Sequence, residues 1–298
     1  MCPRRVEPSC CESARLRSRG DGAGLGQKVN FIPVLLYHDL ANGPVTDGFR
    51  RYVVPPTLFD EHLSAIQSAG YETAPTSQLP AYLRGERPER TAFITFDDAY
   101  ESFASLAMPA LARYSMKATV FAPTAYLGGN AGWLSDLQED ARMIMSWNEL
   151  TDCAGAGAEV GAHGHDHLPF DLVSKAQLVN ELRASRQMLE DRLGFPVTSL
   201  AYPFGFHSRA VRRLARSCGY ESAYEVGDNV QYPAGRFAAA DTMLRISRII
   251  VDPDLSPDDL LHIMSTGRRS RAAQAARVLA RPGFRVYRRA RKAQLPQQ

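Results

Sequence analysis

Short apolar runs alternate with helical patterns along this chain, and the chemically capable residues stand where the runs stop. Leu35-Leu36-Tyr37 leads into His38-Asp39, and Thr91-Ala92-Phe93-Ile94-Thr95-Phe96 into Asp97-Asp98. Glu159-Val160-Gly161-Ala162 leads into His163-Gly164-His165-Asp166-His167, and Ser199-Leu200-Ala201-Tyr202 into Pro203-Phe204-Gly205. Residues 118–122, 222–226 and 246–251 read as further strands. Between the runs, 56–70 reads as a helix: Phe59, Leu63 and Ile66 recur at helical spacing and Gly70 ends it. Segments 77–83, 101–114, 148–156, 174–193 and 208–218 read the same way, with Gly194 and Gly219 as stops for the last two. This alternation predicts an α/β fold with a parallel sheet, closed into a regular or distorted barrel. In such barrels the active site sits at the strand C-terminal ends. Four segments distant in sequence are therefore expected on one rim.

Charge divides the chain into three parts. Net charge is +3, yet residues 1–28 carry +3, residues 266–298 carry +10, and the body between them carries −10. The expected organisation is a disordered segment 1–29, a folded body 30–265 and a basic tail 266–298. The first segment is rich in Arg, Ser, Gly and Cys and lacks periodicity. An acidic body argues against nucleic acid as substrate, because phosphate binding requires Lys and Arg. The tail 268–292 interleaves Leu279, Phe284, Val286 and Tyr287 with basic residues. It is read as a solvated extension, or as a contact for an anionic membrane surface or an acidic partner. No apolar run is long enough to span a bilayer, and no apolar stretch follows Arg4-Arg5 to make a secretory signal. A mis-assigned start would give the same segment. The expected location is cytoplasmic or peripheral to a membrane. Cys153 and Cys218 show no metal spacing, and the five cysteines read as free thiols of a reducing compartment.

One carboxylate and two imidazoles make a facial ligand set for a divalent ion with open positions. Asp97 and Asp98 are neighbours at a strand end, so one can hold a metal while the other faces a water. The bland alternative is an N-cap for the following helix. His163 and His167, four apart, suit a helical turn that aims both rings at one ion; the alternative is a polar loop of satisfied histidines. His165 points elsewhere in either case, and Asp166 is placed to orient a ligand imidazole. His38 suits general-acid work near neutral pH. Of Arg245 and Arg248, one is a candidate to hold Asp97 charged. Trp133 and Trp147 either stack on the ring of a bound substrate or pack.

Thr95-Phe96-Asp97-Asp98, the His163/His167 pair and Ala201-Tyr202-Pro203-Phe204-Gly205 resemble the first three motifs of the polysaccharide deacetylases, the NodB-homology domains of carbohydrate esterase family 4. The resemblance spans roughly residues 31–252. It implies a distorted (β/α)7-type barrel, a Zn2+-like ion (Co2+ and Ni2+ being alternatives), and removal of acetyl groups from acetylated glycans. It further implies Asp97 as catalytic base, Asp98, His163 and His167 as metal ligands, and the Phe204 amide as an oxyanion donor. The family's third motif usually opens with an Arg that pairs with the base. Here that position is Ala201, and Arg248 is the candidate substitute. Leu35-Leu36-Tyr37-His38 resembles the N-terminal acid motif of circularly permuted members such as the poly-N-acetylglucosamine deacetylases, and Leu260-Leu261-His262 is set aside because it reads as helix.

The function so implied is metal-dependent hydrolysis of a carbon–nitrogen bond, releasing acetate from N-acetylated amino sugars of a glycan or glycoconjugate. The alternatives are an O-acetyl esterase, an amidase on a non-sugar substrate, and an inactive glycan-binding barrel.

Overall fold

The computed structural model describes residues 32–84, 90–227 and 242–267. The expected N-terminal segment 1–29 and the tail stretch 268–292 lie outside the described residues. Within them the strands are β1 (Val34–Tyr37), β2 (Asp39–Leu40), β3 (Val53–Val54), β4 (Glu72–Thr73), β5 (Thr91–Phe96), β6 (Ala118–Ala122), β7 (Glu159–Ala162), β8 (Ser199–Ala201), β9 (Ser222–Val226) and β10 (Ile246–Ile250). The α-helices are α1 (Pro56–Ser68), α2 (Leu79–Leu83), α3 (Met108–Arg113), α4 (Trp147–Gly155), α5 (Lys175–Leu193), α6 (Arg209–Ser217) and α7 (Pro257–Thr266).

β5 through β10 pair in sequence order, and β1 pairs with both β10 and β5, all in parallel. The sheet therefore closes into a seven-stranded α/β barrel of the distorted (β/α)7 type. β4 joins only the first two residues of β5, and β2 pairs separately with β3.

Strands buried on both faces must be apolar throughout, and β1, β5 and β6 are buried along their whole length. Alternate residues divide between two layers. Val34, Phe93, Phe121, Tyr224 and Ile246 cluster with Leu79 and Leu83 of α2 to fill the inside. Leu35, Tyr37, Ile94, Phe96 and Val120 pack into the larger cluster shared with the outer helices. Gly161 is required inside, since a Cβ there would stand 2.5 Å from the Phe121 ring.

Local signals set the helix ends. Ser146 with Glu149 and Ser174 with Gln177 form capping boxes on α4 and α5. Gly194 and Gly267 close α5 and α7 in the left-handed conformation. The single helix expected over 101–114 instead contains a π-helical turn, Phe103–Ala107, before α3. Pro109 has no amide donor, so the hydrogen-bond ladder has to shift there. His262 lies exposed on α7, away from the rim.

Candidate active site

The strand ends bring the expected residues together. β1 and β5 run in register with Tyr37 opposite Phe96, so the next residues, His38 and Asp97, leave the barrel side by side. The Asp97 amide donates to the Tyr37 carbonyl at 3.1 Å. His163 follows β7 directly, and its amide donates to the Ala122 carbonyl at the end of β6. Asp98 and Ala99 then take positive φ angles of 70° and 55°, turning Asp98 away from the line of its neighbour.

Asp98 Oδ1 stands 3.3 Å from His163 Nε2 and 3.2 Å from His167 Nε2. One ligand atom from each of the three lies within 4.8 Å of the others, and all three residues are buried. The Nδ1–H of His163 donates to the Ala201 carbonyl at 2.9 Å. That bond fixes the tautomer, so a neutral His163 aims its Nε2 lone pair at the cluster. Two nitrogens and one carboxylate oxygen, buried and convergent, fit a Zn2+-class divalent ion.

The two imidazoles do not sit on a helical turn. Residues 163–167 form an irregular loop in which Gly164 and His167 have φ of 77° and 51°. A helix here would point successive residues away from the rim. The loop is instead pinned at both faces: Thr124 and Ala125 amides bind the Gly164 and His165 carbonyls. Glu181 Oε2 accepts the His165 and Asp166 amides at 2.8 and 2.9 Å. Asp166 does not orient a ligand ring; the Ala201 carbonyl does that for His163. His165 turns aside to Thr124, its Nδ1 2.9 Å from the hydroxyl.

Asp97 is gripped from inside the barrel. Arg248 Nη1 and Nη2 donate to its two carboxylate oxygens at 2.7 and 2.6 Å. Arg248 is fully buried, lying over the Phe121 and Tyr224 rings at 5.4 and 6.0 Å. A bidentate, desolvated pair of this kind is strong and directional. Arg245 precedes β10 and is exposed.

These contacts set the protonation states. Burial opposes ionisation of Asp97, but the charges of Arg248 and His163 outweigh it and hold its pKa below the usual carboxylate value. Burial likewise opposes a charged Asp98, yet bonds and charge from His163 and His167 hold it well below that range. For His163 burial is outweighed by Asp97 and Asp98, and the pKa is raised; for His167 burial prevails and it is lowered. The Nε2 of His163 faces Asp98 Oδ1, so a proton and a cation would compete for one nitrogen.

His38 is half-buried, with its ring 4.8 Å from that of Tyr52, and its Nδ1 has no hydrogen-bond partner among the described residues. Burial lowers its pKa against the pull of Asp98 and Asp97. The next residue, Asp39, anchors this strand end: it accepts from Ser102 Oγ at 2.6 Å and pairs with Arg142. Phe204 has φ of 60°, and its ring lies 4.7 Å from that of His167. Gly205 next to it must be glycine, since a Cβ would stand 2.6 Å from Val226 Cβ. Trp133 is buried with its ring 4.4 Å from that of His167, so it backs the candidate ligand. Trp147 packs under the Arg192 guanidinium at 5.4 Å.

Sequence reasoning missed the Ala201 carbonyl and Glu181; of the two readings of Trp133, packing is the one observed. A backbone carbonyl leaves no sequence signal. Glu181 does leave one: it is a carboxylate on the stripe Leu178, Leu182, Ser185 and Leu189 that α5 buries.

A parallel barrel with paired carboxylates and two imidazoles on its strand-end rim defines a hydrolase-type site. Residues 84–223 match the family model described as polysaccharide deacetylase. Residues 84–223 thus carry a polysaccharide deacetylase domain, and the chain is a hydrolytic deacetylase. It is 25% identical over 227 residues to YxkH of Bacillus subtilis, provisionally called a polysaccharide deacetylase, covering 76% of this chain and 73% of that one. It is 21% identical to a poly-beta-1,6-N-acetyl-D-glucosamine N-deacetylase of Staphylococcus aureus, covering 70% and 71%. Among solved structures the fold is shared with the deacetylase PplD of Streptococcus pyogenes, with a TM-score of 0.65 at 22% identity over 78% of this chain and 98% of that one. It is also shared with IcaB from Ammonifex degensii, with a TM-score of 0.64 at 18% identity over 79% and 96%.

Proposed function

We propose that this protein is a divalent-metal-dependent N-deacetylase, releasing acetate from N-acetylated amino sugars of a glycan by hydrolysis of the acetamide C–N bond. The observation that carries this is the buried triangle of Asp98, His163 and His167 beside an Asp97 held by Arg248. A Zn2+-class ion, when bound, supplies Lewis acidity to a carbonyl and lowers the pKa of water.

The residues of the chain then divide the work. Asp97, kept ionised by Arg248, takes a proton from the attacking water. Asp98, His163 and His167 hold the ion. The Phe204 amide is the oxyanion donor of this reading. His38 lies across from Asp97 on the neighbouring strand end and delivers a proton to the departing amine. Burial lowers its pKa against the pull of Asp98 and Asp97, so a proton that it carries is readily given up. The staphylococcal relative's name supports an N-acetylglucosamine polymer as the substrate class.

The test is acetate release from acetylated chito-oligosaccharides and from poly-β-1,6-N-acetylglucosamine, with Zn2+, with Co2+ and with a chelator. Release that a chelator does not touch would remove the metal from this reading. No release from any acetylated amino sugar would remove the substrate.

A further inference from the structure

We propose that Glu181 is a positioning residue for the two imidazoles, acting through the backbone of the loop that joins them. This rests on the metal-dependent reading above.

Glu181 is a carboxylate with 1% exposure on a helix face that otherwise buries Leu178, Leu182 and Leu189. Its Oε2 accepts from the amides of His165 and Asp166. Those two amides belong to the residues that separate His163 from His167. A loop with left-handed residues at Gly164 and His167 cannot satisfy its own N–H groups as a helix does. An acceptor has to come from outside, and α5 supplies it. The fit is close: a Cβ on Gly164 would stand 3.0 Å from Glu181 Oε2 and 3.2 Å from the Phe170 ring. On the opposite face the Thr124 and Ala125 amides take the loop carbonyls. The loop is thus held between the turn after β6 and α5, and the spacing of the two imidazoles follows from that clamp.

Two substitutions separate the acceptor role from bulk. Glu181→Gln keeps a carbonyl-type oxygen at the same reach, whereas Glu181→Ala removes it. The metal-free full chain is titrated with Co2+, following its visible absorption, and amide exchange is read at His165 and Asp166. Glu181→Ala is expected to bind Co2+ at least about 10-fold more weakly, in the range seen when a group that orients metal ligands is lost, and to lose protection at both amides. Glu181→Gln is expected to restore both. If Glu181→Ala does not fold, Glu181→Asp, one methylene shorter, carries the same expectation. Wild-type Co2+ affinity in Glu181→Ala or Glu181→Asp overturns the proposal, and so does a Glu181→Gln variant as weak as Glu181→Ala. A wild-type chain that binds no Co2+ overturns the metal-dependent reading instead. In that event, lost amide protection in Glu181→Ala still supports the clamp on the loop.

Discussion

Arg248 and Asp97 meet through two parallel hydrogen bonds of 2.7 and 2.6 Å across 151 residues of chain. The pair joins the last strand of the barrel to the strand end that carries the candidate base. Arg248 also donates to Thr95 Oγ1 at 3.3 Å, so the whole end of β5 leans on it.

Breaking that pair leaves a buried carboxylate without its counter-charge. Arg248→Met is expected to cost about 3–5 kcal/mol of stability, read by urea unfolding. Acetate release should fall with it, and Arg248→Lys, charged but not bidentate, should recover stability only in part. Unchanged stability in Arg248→Met would show that the pair contributes nothing net.

Asp97 and Asp98 differ in what they lose. Asp97→Asn is expected to keep the metal and lose about 10²–10⁴-fold in kcat, the scale of general-base catalysis. Asp98→Ala is expected to lose the metal itself. Metal content by elemental analysis beside acetate-release kinetics separates the two; equal metal loss in both would erase the division of labour.

His38 matters in proportion to the leaving group. An amine leaves poorly without a proton, whereas an alkoxide from an acetate ester needs less help. His38→Ala should lower turnover of an N-acetyl substrate by about 10²-fold or more and spare an O-acetyl ester. Equal losses on the two would reject the acid role.

Chelation should also lower thermal stability. A ligand bound only by the folded chain stabilises it by mass action. Removing the ion should lower Tm, and Zn2+ should restore it in step with acetate release. A Tm indifferent to the metal would contradict the buried site.

His62 provides a pH test away from the metal. Its Nε2–H donates to the Leu255 carbonyl at 2.8 Å and its Nδ1 lies 3.1 Å from Tyr37 Oη, which donates to it when the ring is neutral. Burial lowers its pKa in the fold, against the Leu255 bond. A neutral folded His62 adds stability above its unfolded pKa of about 6.5. That contribution is lost as pH falls through the lower folded value, with a slope of at most about 1.4 kcal/mol per pH unit. His62→Asn should flatten the acid limb of a stability–pH curve; an unaltered slope would place the lost proton elsewhere.

Much of the barrel was legible before any coordinates. Thr91–Phe96, Ala118–Ala122, Glu159–Ala162 and Ser222–Val226 have the bounds expected from their apolar runs. The Gly194 stop is a local signal too and ends α5 after Leu193 as expected, whereas α4 runs one residue earlier at each end than 148–156. The failures share a cause. The His163–His167 spacing suggests a helical turn only if neighbouring residues decide the backbone. Here Glu181, Thr124 and Ala125, from two other elements, decide it.

The sequence alone determined which side chains could reach a cation and that each stands at the end of a strand, because alternation and capping act over a few residues. It also marked Arg248 as one of two arginines free to replace a missing partner for Asp97. Only closure of the barrel decided that β10 brings Arg248, and not Arg245, inside against that carboxylate. Strand pairing likewise turned Ala201 into the group that orients His163. Hydrogen bonds between distant backbones depend on which strands become neighbours, and no local pattern encodes that.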